Sequence, residues 1–338
     1  MVSRGARVLA CTLAAAVAVS IVPASAATNA GRARTAAGYI ARQQRDNGSI
    51  VAFSAYGSTA DAIVALVAAR RGEKQIKRAF GFLSRKVRNG KVFKDPDVGV
   101  LGKIVLALEG AGKEARTFGG KNLVKRIAKL ERPSGRLGRG TEVYSHALLI
   151  LALAAADRKV STNAIEWLKD AQCGDGGWAF DDPPGPNDDE HCEDTTDPDD
   201  FVTSDSNTTS NAIMALAAVG AAADDDPFPY LETLRDSQDG GWGYTEAFSA
   251  TDANSTSLVI QAHLAAGRQL PAGAMAALKG LQVSLCGRKG GAFRFLYGDS
   301  NPPDLGATIA ATPALMKKPL PLEPFKVTKR VPAKKPCN

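Results

Sequence analysis

Two kinds of apolar pattern alternate along the chain. Runs such as STADAIVALVAA, EVYSHALLILALAAA and NTTSNAIMALAAVG are apolar on nearly every side, whereas the segments before them carry Lys, Arg and Asp on one side only. A helix that is apolar all round lies inside a protein, and an amphipathic helix lies at a surface. Almost no stretch alternates with period two, as strands do. The pattern predicts an all-α chain with an inner and an outer layer of helices.

The amphipathic segments recur, and each ends in a turn that contains glycine. The turn glycines are separated by 42, 45, 41, 64 and 50 residues, and they are Gly48, Gly90, Gly135, Gly176, Gly240 and Gly290. One unit is therefore a little over forty residues, with a large insertion in the fourth. Six helix-pair units predict about twelve helices. An open solenoid fits this pattern, but an inner layer of small residues favours a closed α6-α6 barrel, which has no uncapped end.

Most inner runs begin with residues that cap helices. Asp205-Ser-Asn207-Thr-Thr-Ser and Asp252-Ala-Asn254-Ser-Thr-Ser stand at the front of two consecutive runs. Side-chain oxygens of Ser, Thr, Asp and Asn accept hydrogen bonds from the first free backbone amides of a helix. The repetition of this form indicates a helix cap rather than a unique active site.

The first 26 residues have the layout of a secretory signal peptide. Arg4 and Arg7 precede an apolar run, and Ala24-Ser25-Ala26 forms a small-residue cleavage site. We expect cleavage near Ala26, a secreted protein and no transmembrane segment in the mature chain. The toroid should occupy residues 27–320, with an acidic insertion at 181–204, and residues 321–338 form a tail rich in Pro and Lys.

An even number of cysteines remains after the predicted cleavage. They are Cys173, Cys192, Cys286 and Cys337. In an exported protein this number predicts two disulfides, with three connectivities open. Loop closure favours Cys173 with Cys192 and Cys286 with Cys337. A zinc site is disfavoured because the chain has no C-x-x-C pair.

The charge is distributed unevenly. The net charge is +16 over residues 27 to 160 and −19 over residues 161 to 250. The basic part could face an anionic cell-wall polymer, or the two parts could complement each other within one monomer. Nucleic acid is not an expected partner, because basic and aromatic residues do not interleave. The carboxylates of the insertion could bind calcium, and otherwise no cofactor or metal is predicted.

The fourth unit resembles the QW repeat of terpenoid cyclases and protein prenyltransferases. The matching residues are Ala164, Trp167, Leu168, Gln172, Gly176 and Trp178. The fifth unit keeps Gln238, Gly240 and Trp242. The resemblance covers roughly residues 35 to 320 and implies an α/α toroid. It also implies that these Gln, Gly and Trp residues are structural, joining the end of an outer helix to its neighbours.

The resemblance is weaker at the residues that catalyse the reactions of that family. Its class II cyclases protonate an alkene with the middle Asp of a D-x-D-D-T-A motif, and here Asn207 stands at that position. A literal D-x-D-D occurs in the insertion, so a cyclase would have to use Asp199, Asp200 or Asp205. The inner helices also contribute almost no aromatic residues to stabilise carbocations.

We therefore expect a protein that binds a hydrophobic or amphipathic small molecule at the mouth of the ring without turning it over. No catalytic residue is assigned. The candidate ligand-binding residues are Tyr144, His146, Asp205, Asn207, Tyr244, Asp252 and Asn254. A terpenoid cyclase or prenyltransferase-like enzyme, and a cell-wall-binding structural module, are the alternatives.

Overall fold

The computed structural model describes residues 27–140, 142–181, 203–298 and 300–333. The predicted signal peptide, Asp199, Asp200, Cys192 and Cys337 lie outside these ranges. The signal peptide, its cleavage and both disulfide pairings therefore stay predictions.

Twelve α-helices alternate between two layers in the described part of the chain. The inner helices are α2 (Gly57–Ala68), α4 (Gly99–Gly110), α6 (Val143–Ala155), α8 (Ser206–Ala218), α10 (Ala253–Ala265) and α12 (Leu305–Leu315). The outer helices are α1 (Asn29–Arg42), α3 (Glu73–Arg88), α5 (Leu123–Ala128), α7 (Thr162–Asp170), α9 (Phe228–Thr233) and α11 (Ala274–Gly280). Short 3-10 turns lie at Val92–Lys94 and Phe118–Gly120, and β1 (Phe293–Arg294) pairs antiparallel with β2 (Pro303–Asp304).

The inner helices form a closed ring. Each one packs against the next from α2 to α12, and α12 packs against both α2 and α1. The last unit therefore contacts the first, and the open solenoid is excluded. The fold is the predicted all-α toroid of six helix-pair repeats.

Burial follows the predicted difference between the two layers. In α6 nearly every residue from Val143 to Leu153 is buried. In α3 one side is buried, through Ile76, Phe80, Leu83 and Val87, while most lysines and arginines of the helix are exposed. The hydrophobic effect thus fixes the inner helix from all sides and the outer helix from one side.

Turn glycines of the first, third and sixth units bring the turn against a neighbouring outer helix. A side chain at Gly48 or Gly135 would overlap a backbone carbonyl of α3 or α7, and both glycines have positive φ. In the sixth unit Gly291, not Gly290, has this conformation and packs against Thr35 of α1. The prediction of Gly290 was wrong by one residue, because two adjacent glycines leave the turn position open in the sequence.

The Gln and Trp of the fourth unit join neighbouring elements. Gln172 Nε2 donates to the carbonyls of Gly176 at 2.8 Å and Asp225 at 3.0 Å, and Asp225 N donates to Gln172 Oε1 at 3.0 Å. Trp178 is fully buried, and its Nε1 donates to the Leu168 carbonyl at the end of α7 at 2.7 Å. These contacts satisfy backbone groups that a helix leaves without partners at its end.

The fifth unit makes the same contacts with a different residue. Trp242 is fully buried and donates to the Leu231 carbonyl at 2.9 Å. Gln238, which the sequence placed in the structural role, is exposed. Arg235 instead donates to the carbonyls of Gly240 and Ala272. A guanidinium has several donors on one plane, so it can replace the carboxamide of a glutamine here.

The segment after α12 crosses the side of the ring where the inner helices end. Leu320 reaches the central cavity, and Leu322 packs against Gly110 at the end of α4. Phe325 N donates to the Gly110 carbonyl at 2.9 Å, and Gly72 N donates to the Lys329 carbonyl at 2.8 Å. This segment closes the ring at one side, so the cavity opens at the other.

Candidate functional site

The inner helices begin on one side of the ring, which we call the mouth. Asp205 Oδ1 caps α8 by accepting from the amides of Asn207 and Thr208, each at 2.8 Å. Asp252 Oδ1 caps α10 in the same way, accepting from the amides of Asn254 and Ser255 at 2.8 Å. The two aspartates therefore serve as helix caps, as the repeated motif predicts.

A central cavity of about 240 Å³ opens at the mouth. One water requires roughly 15 Å³, so the cavity can hold a small molecule or part of one. Every inner helix contributes to its wall. The wall consists of Ala52, Phe53, Ser58, Asp61, Val64, Lys103, Leu106, Tyr144, Leu148, Asn207, Asn211, Asn254, Leu258, Gln261, Gly306, Ile309, Ala310, Pro313 and Leu320.

The cavity has a polar end and an apolar end. Ser58, Asp61, Lys103, Asn207 and Asn254 come from the first two turns of their helices, next to the mouth. Leu148, Leu258 and Ile309 lie at about the depth of the ion-pair residues, and Val64 and Leu106 lie almost one turn further in. The inner wall is therefore mainly aliphatic, with Asn211 and Gln261 as polar exceptions. An amphipathic molecule would match this gradient.

One ion pair lies at the polar end. Lys103 Nζ contacts Asp61 Oδ2 at 2.9 Å, and both side chains are partly exposed to the cavity. Burial opposes the charge on Lys103, but the Asp61 carboxylate outweighs it and raises the lysine pKa. Among the described residues Asp61 is the only carboxylate in the cavity wall.

Two amide side chains present acceptors without partners. The Oδ1 atoms of Asn207 and Asn254 are buried and have no hydrogen bond within the described residues. A buried acceptor without a partner costs roughly 1–3 kcal/mol. Both asparagines line the cavity at equivalent positions of consecutive units. A hydroxyl or amine of a bound molecule could satisfy both oxygens.

Aromatic side chains lie at the mouth. Phe53 lines the cavity with 78% of its surface exposed, and Ser58 Oγ accepts from the Phe53 amide at 2.9 Å. Tyr144 lines the cavity and stacks on Phe180, with ring centroids 5.7 Å apart. Burial raises the pKa of the Tyr144 hydroxyl, which stays neutral and can donate a hydrogen bond.

Asp205 is buried beside the cavity but is not part of its wall. Besides the two amides, it accepts from Thr208 Oγ1 at 2.7 Å and from the Tyr244 hydroxyl. Burial raises its pKa to about 7, and these hydrogen bonds partly offset that effect. Its oxygens are therefore occupied by α8 and Tyr244 rather than presented to a ligand.

His146 was expected near a ligand and lies elsewhere. Its ring is fully buried between α6 and the outer layer, where Nδ1 accepts from the Leu137 amide at 2.8 Å and Nε2 lies 2.9 Å from the Ala164 carbonyl. Burial lowers its pKa to about 4, so the ring is neutral and Nε2 donates. His146 is a packing residue, and assigning it to the ligand site was wrong.

Three of the seven candidate residues line the cavity, namely Tyr144, Asn207 and Asn254. Asp205, Tyr244 and Asp252 are not among the residues of this wall. The sequence analysis missed Asp61 and Lys103, although each is a charged residue in the first half of an inner helix whose other residues are mostly apolar. That position was the available signal.

Within the described ranges, no cluster of three His, Cys, Asp or Glu side chains could hold a metal ion, and no helix is suited to cross a membrane.

Comparisons with known proteins identify the fold. No family model matches the chain, and no curated protein matches it. The apo type II terpene cyclase MstE from Scytonema is similar, with a TM-score of 0.56 and 13% identity over 86% of this chain and 98% of that one. An alpha-1,6-mannanase from Salegentibacter gives 0.58 and 12%, over 86% and 98% of the two chains. An alpha-amylase from Clostridium perfringens gives 0.61 and 14%, over 85% and 97%. At these identities the similarity shows the α/α toroid alone.

Proposed function

We propose that this chain is a secreted, non-catalytic toroid protein that binds an amphipathic small molecule in the central cavity. The apolar part of the molecule would lie against Leu106, Leu148 and Ile309. Its polar group would lie at the mouth, beside the ion pair and the two asparagines. The observation that carries the proposal is the gradient within the cavity, whose polar end holds two amide oxygens without partners.

The comparisons support this class of ligand without naming it. The Scytonema cyclase is described in complex with geranylgeranyl dihydroxybenzoate, a long apolar chain with a polar head, as its substrate. The mannanase is described with alpha-1,6-mannotriose, which is polar throughout. The cavity of this chain, with aliphatic side chains beyond its polar end, matches the first kind of molecule better.

Binding without turnover is favoured by the carboxylates of the site. Asp61 is paired with Lys103, and Asn207 stands where the family motif has its acid. Glycosidases need two carboxyl groups on either side of the bond that breaks, and the described cavity wall holds one. A cyclase that uses Asp199 or Asp200 is the second candidate, because the insertion carries the literal D-x-D-D sequence.

The proposal can be tested by filling the cavity. Ala310 lines the cavity on α12, so Ala310→Phe should occupy the space of the ligand. Native mass spectrometry of protein from the producing cells should show a bound molecule in the parent chain and lose it in this variant. Ala276→Phe, at an exposed position of α11, is the matched control and should keep the molecule.

Two outcomes would contradict the proposal. A parent protein that carries no small molecule, and takes up none from a lipid extract of the producing cells, would exclude the binding role. Product formation from squalene or a prenyl diphosphate, abolished by Asp200→Asn, would replace it with a cyclase. Thermal unfolding of both phenylalanine variants would show that the lost signal is not a loss of fold.

A further inference from the structure

The outer helices of the first three units form a strongly basic surface. We define the basic wall by six exposed side chains, namely Arg34 on α1, Lys74, Lys77 and Arg88 on α3, Lys125 on α5, and Lys129 directly after α5. On α3 the lysines and Arg88 lie on the side opposite the buried apolar residues. The wall is part of the region from residue 27 to 160, whose net charge is +16.

Contacts between the outer helices make this surface continuous. Gln44, just after α1, donates to the Gln75 carbonyl of α3 at 2.9 Å, and Arg85 of α3 donates to the Asn47 carbonyl at 2.8 Å. The Arg126 guanidinium of α5 lies over the ring of Phe93, 3.7 Å from its centroid, in the turn that follows α3. The three helices are therefore neighbours around the ring.

The cations of the basic wall differ from those of the opposite side in their ion pairs. None of the wall's six side chains takes part in an ion pair within the described chain. On the opposite side of the ring the cations are paired, for example Lys169 with Asp224 at 2.8 Å and Arg268 with Asp226 at 2.9 Å. Near the wall, Arg71 has its pKa lowered by desolvation and by the nearby Arg34 charge. A surface of unpaired like charges attracts counter-ions of opposite sign.

The shape of the wall indicates what kind of anion would bind. Lys74 and Arg88 are fourteen positions apart on one helix, which corresponds to about 21 Å along its axis. A single small anion cannot reach both. The exposed large apolar side chains, Phe53, Phe248, Phe295 and Tyr297, belong to the loops around the mouth and not to the wall. The wall therefore lacks the apolar groups that insert into a lipid surface.

We propose that the basic wall binds an extended anionic polymer carrying repeated phosphate or carboxylate groups. Several lysines and arginines would contact successive anionic groups, and counter-ions released from the polymer would contribute to affinity. The site lies outside the cavity and does not depend on the ligand proposed above. A protein with both sites would hold a small molecule in the ring while its outer wall is bound to a polymer.

The test measures binding of long-chain inorganic polyphosphate and of poly-glutamate, which separates phosphate from carboxylate recognition. Lys74→Glu/Lys77→Glu should weaken binding at least about tenfold at low salt and reduce its salt dependence. Arg288→Glu/Lys289→Glu changes the net charge equally at two exposed positions outside the wall, and should weaken binding by less than about threefold. Lys125→Glu/Lys129→Glu, on α5 and directly after it, repeats the test independently if the α3 variant unfolds.

Three results would overturn the proposal. Equal losses in the wall and control variants would mean that net charge alone governs binding. Preferential binding to vesicles of phosphatidylglycerol, with weak binding to both polymers, would indicate a membrane surface instead. Salt-sensitive self-association without polymer binding would indicate that the basic wall pairs with the acidic side of a second copy. None of these readouts depends on occupancy of the cavity.

Discussion

The fourth and fifth units carry the same motif at the mouth and can be compared contact by contact. In both, an aspartate caps the inner helix through two amides at 2.8 Å. In both, a threonine hydroxyl accepts from the amide of the buried tryptophan, Thr209 at 2.9 Å and Thr256 at 3.0 Å. These shared contacts hold the turn against the inner helix. They are the part of the motif that builds the fold.

The two units differ in several contacts that can vary without a change of fold. Asp205 accepts from the Tyr244 hydroxyl, and its pKa is raised by burial to about 7. Burial also raises the pKa of Asp252, and within the described residues its hydrogen bonds come from Ser255 and Asn254 rather than from a tyrosine. Gln172 makes the contact between outer helices in the fourth unit, and Arg235 makes it in the fifth. One sequence motif therefore covers two sets of interactions, and each difference can be tested by parallel substitutions.

The largest effect is expected from the tryptophans. Trp178→Ala and Trp242→Ala each remove a fully buried side chain and its hydrogen bond to an outer-helix carbonyl. Each should lower the free energy of unfolding by about 3–5 kcal/mol, because a large cavity remains. Chemical denaturation followed by circular dichroism would measure the loss, with the exposed Phe248→Ala as a control. A loss in one unit that is several times the loss in the other would show that the two turns are not equivalent.

The second prediction concerns the pH dependence of stability. The folded-state pKa of Asp205 is raised above its ordinary value, so its protonated form is favoured by folding. The stability that this provides is fully present below about pH 4 and is lost as the pH rises through about 7. Asp205→Asn keeps a good helix cap but does not titrate. The variant should therefore gain roughly 2–4 kcal/mol relative to the parent between pH 4 and pH 8, at about 1.4 kcal/mol per pKa unit.

Parallel denaturation curves of Asp252→Asn sharpen this test. Burial also raises the pKa of Asp252. The stability of Asp252→Asn relative to the parent should therefore also increase as the pH rises. The tyrosine contact is specific to Asp205, and Tyr244→Phe with Asp205 intact would show how far that hydroxyl offsets the effect of burial on the Asp205 pKa. A constant difference between Asp205→Asn and the parent over the whole range would mean that the carboxyl group does not titrate there.

The sequence predicted the fold because its signals are distributed over many residues. Six helix pairs, their inner and outer layers and the closed ring depend on hydrophobic burial repeated in every unit, so an error at one turn, such as Gly290 for Gly291, does not change the result. The caps at Asp205 and Asp252 were predictable for a related reason. Capping is a local interaction between a side chain and amides two or three residues away.

The site was less predictable because it depends on contacts between units. Asp61 and Lys103 are 42 positions apart, and only the ring brings them within 2.9 Å. Asp61 and Lys103 were left out of the predicted site, whereas His146 was wrongly included in it. A histidine on an inner helix could face the cavity or the outer layer, and the helical pattern does not decide this when all sides are apolar. Tyr144, two positions earlier, faces the cavity.

The smallest effects are expected at the contact between outer helices, where sequence and structure lead to different expectations. The QW resemblance assigns the role to Gln238, whereas the structure gives it to Arg235. Arg235→Ala removes donors to the Gly240 and Ala272 carbonyls and an ion pair with Glu232 at 2.8 Å. It should lower the free energy of unfolding by about 1–2 kcal/mol, as should Gln172→Ala in the fourth unit. Gln238→Ala should stay within about 0.5 kcal/mol of the parent, because an exposed side chain contributes little.

Thermal and chemical denaturation of these three variants would decide which residue joins the fifth unit to the sixth. A fourth variant, Arg235→Gln, is the most informative, because it replaces the guanidinium with one carboxamide. If the two N–H groups of one carboxamide are enough, as they are for the two carbonyls that Gln172 contacts, this variant should recover at least half of the loss. A destabilising Gln238→Ala together with a neutral Arg235→Ala would reverse the assignment. The family motif would then describe the fifth unit better than the contacts of Arg235 do.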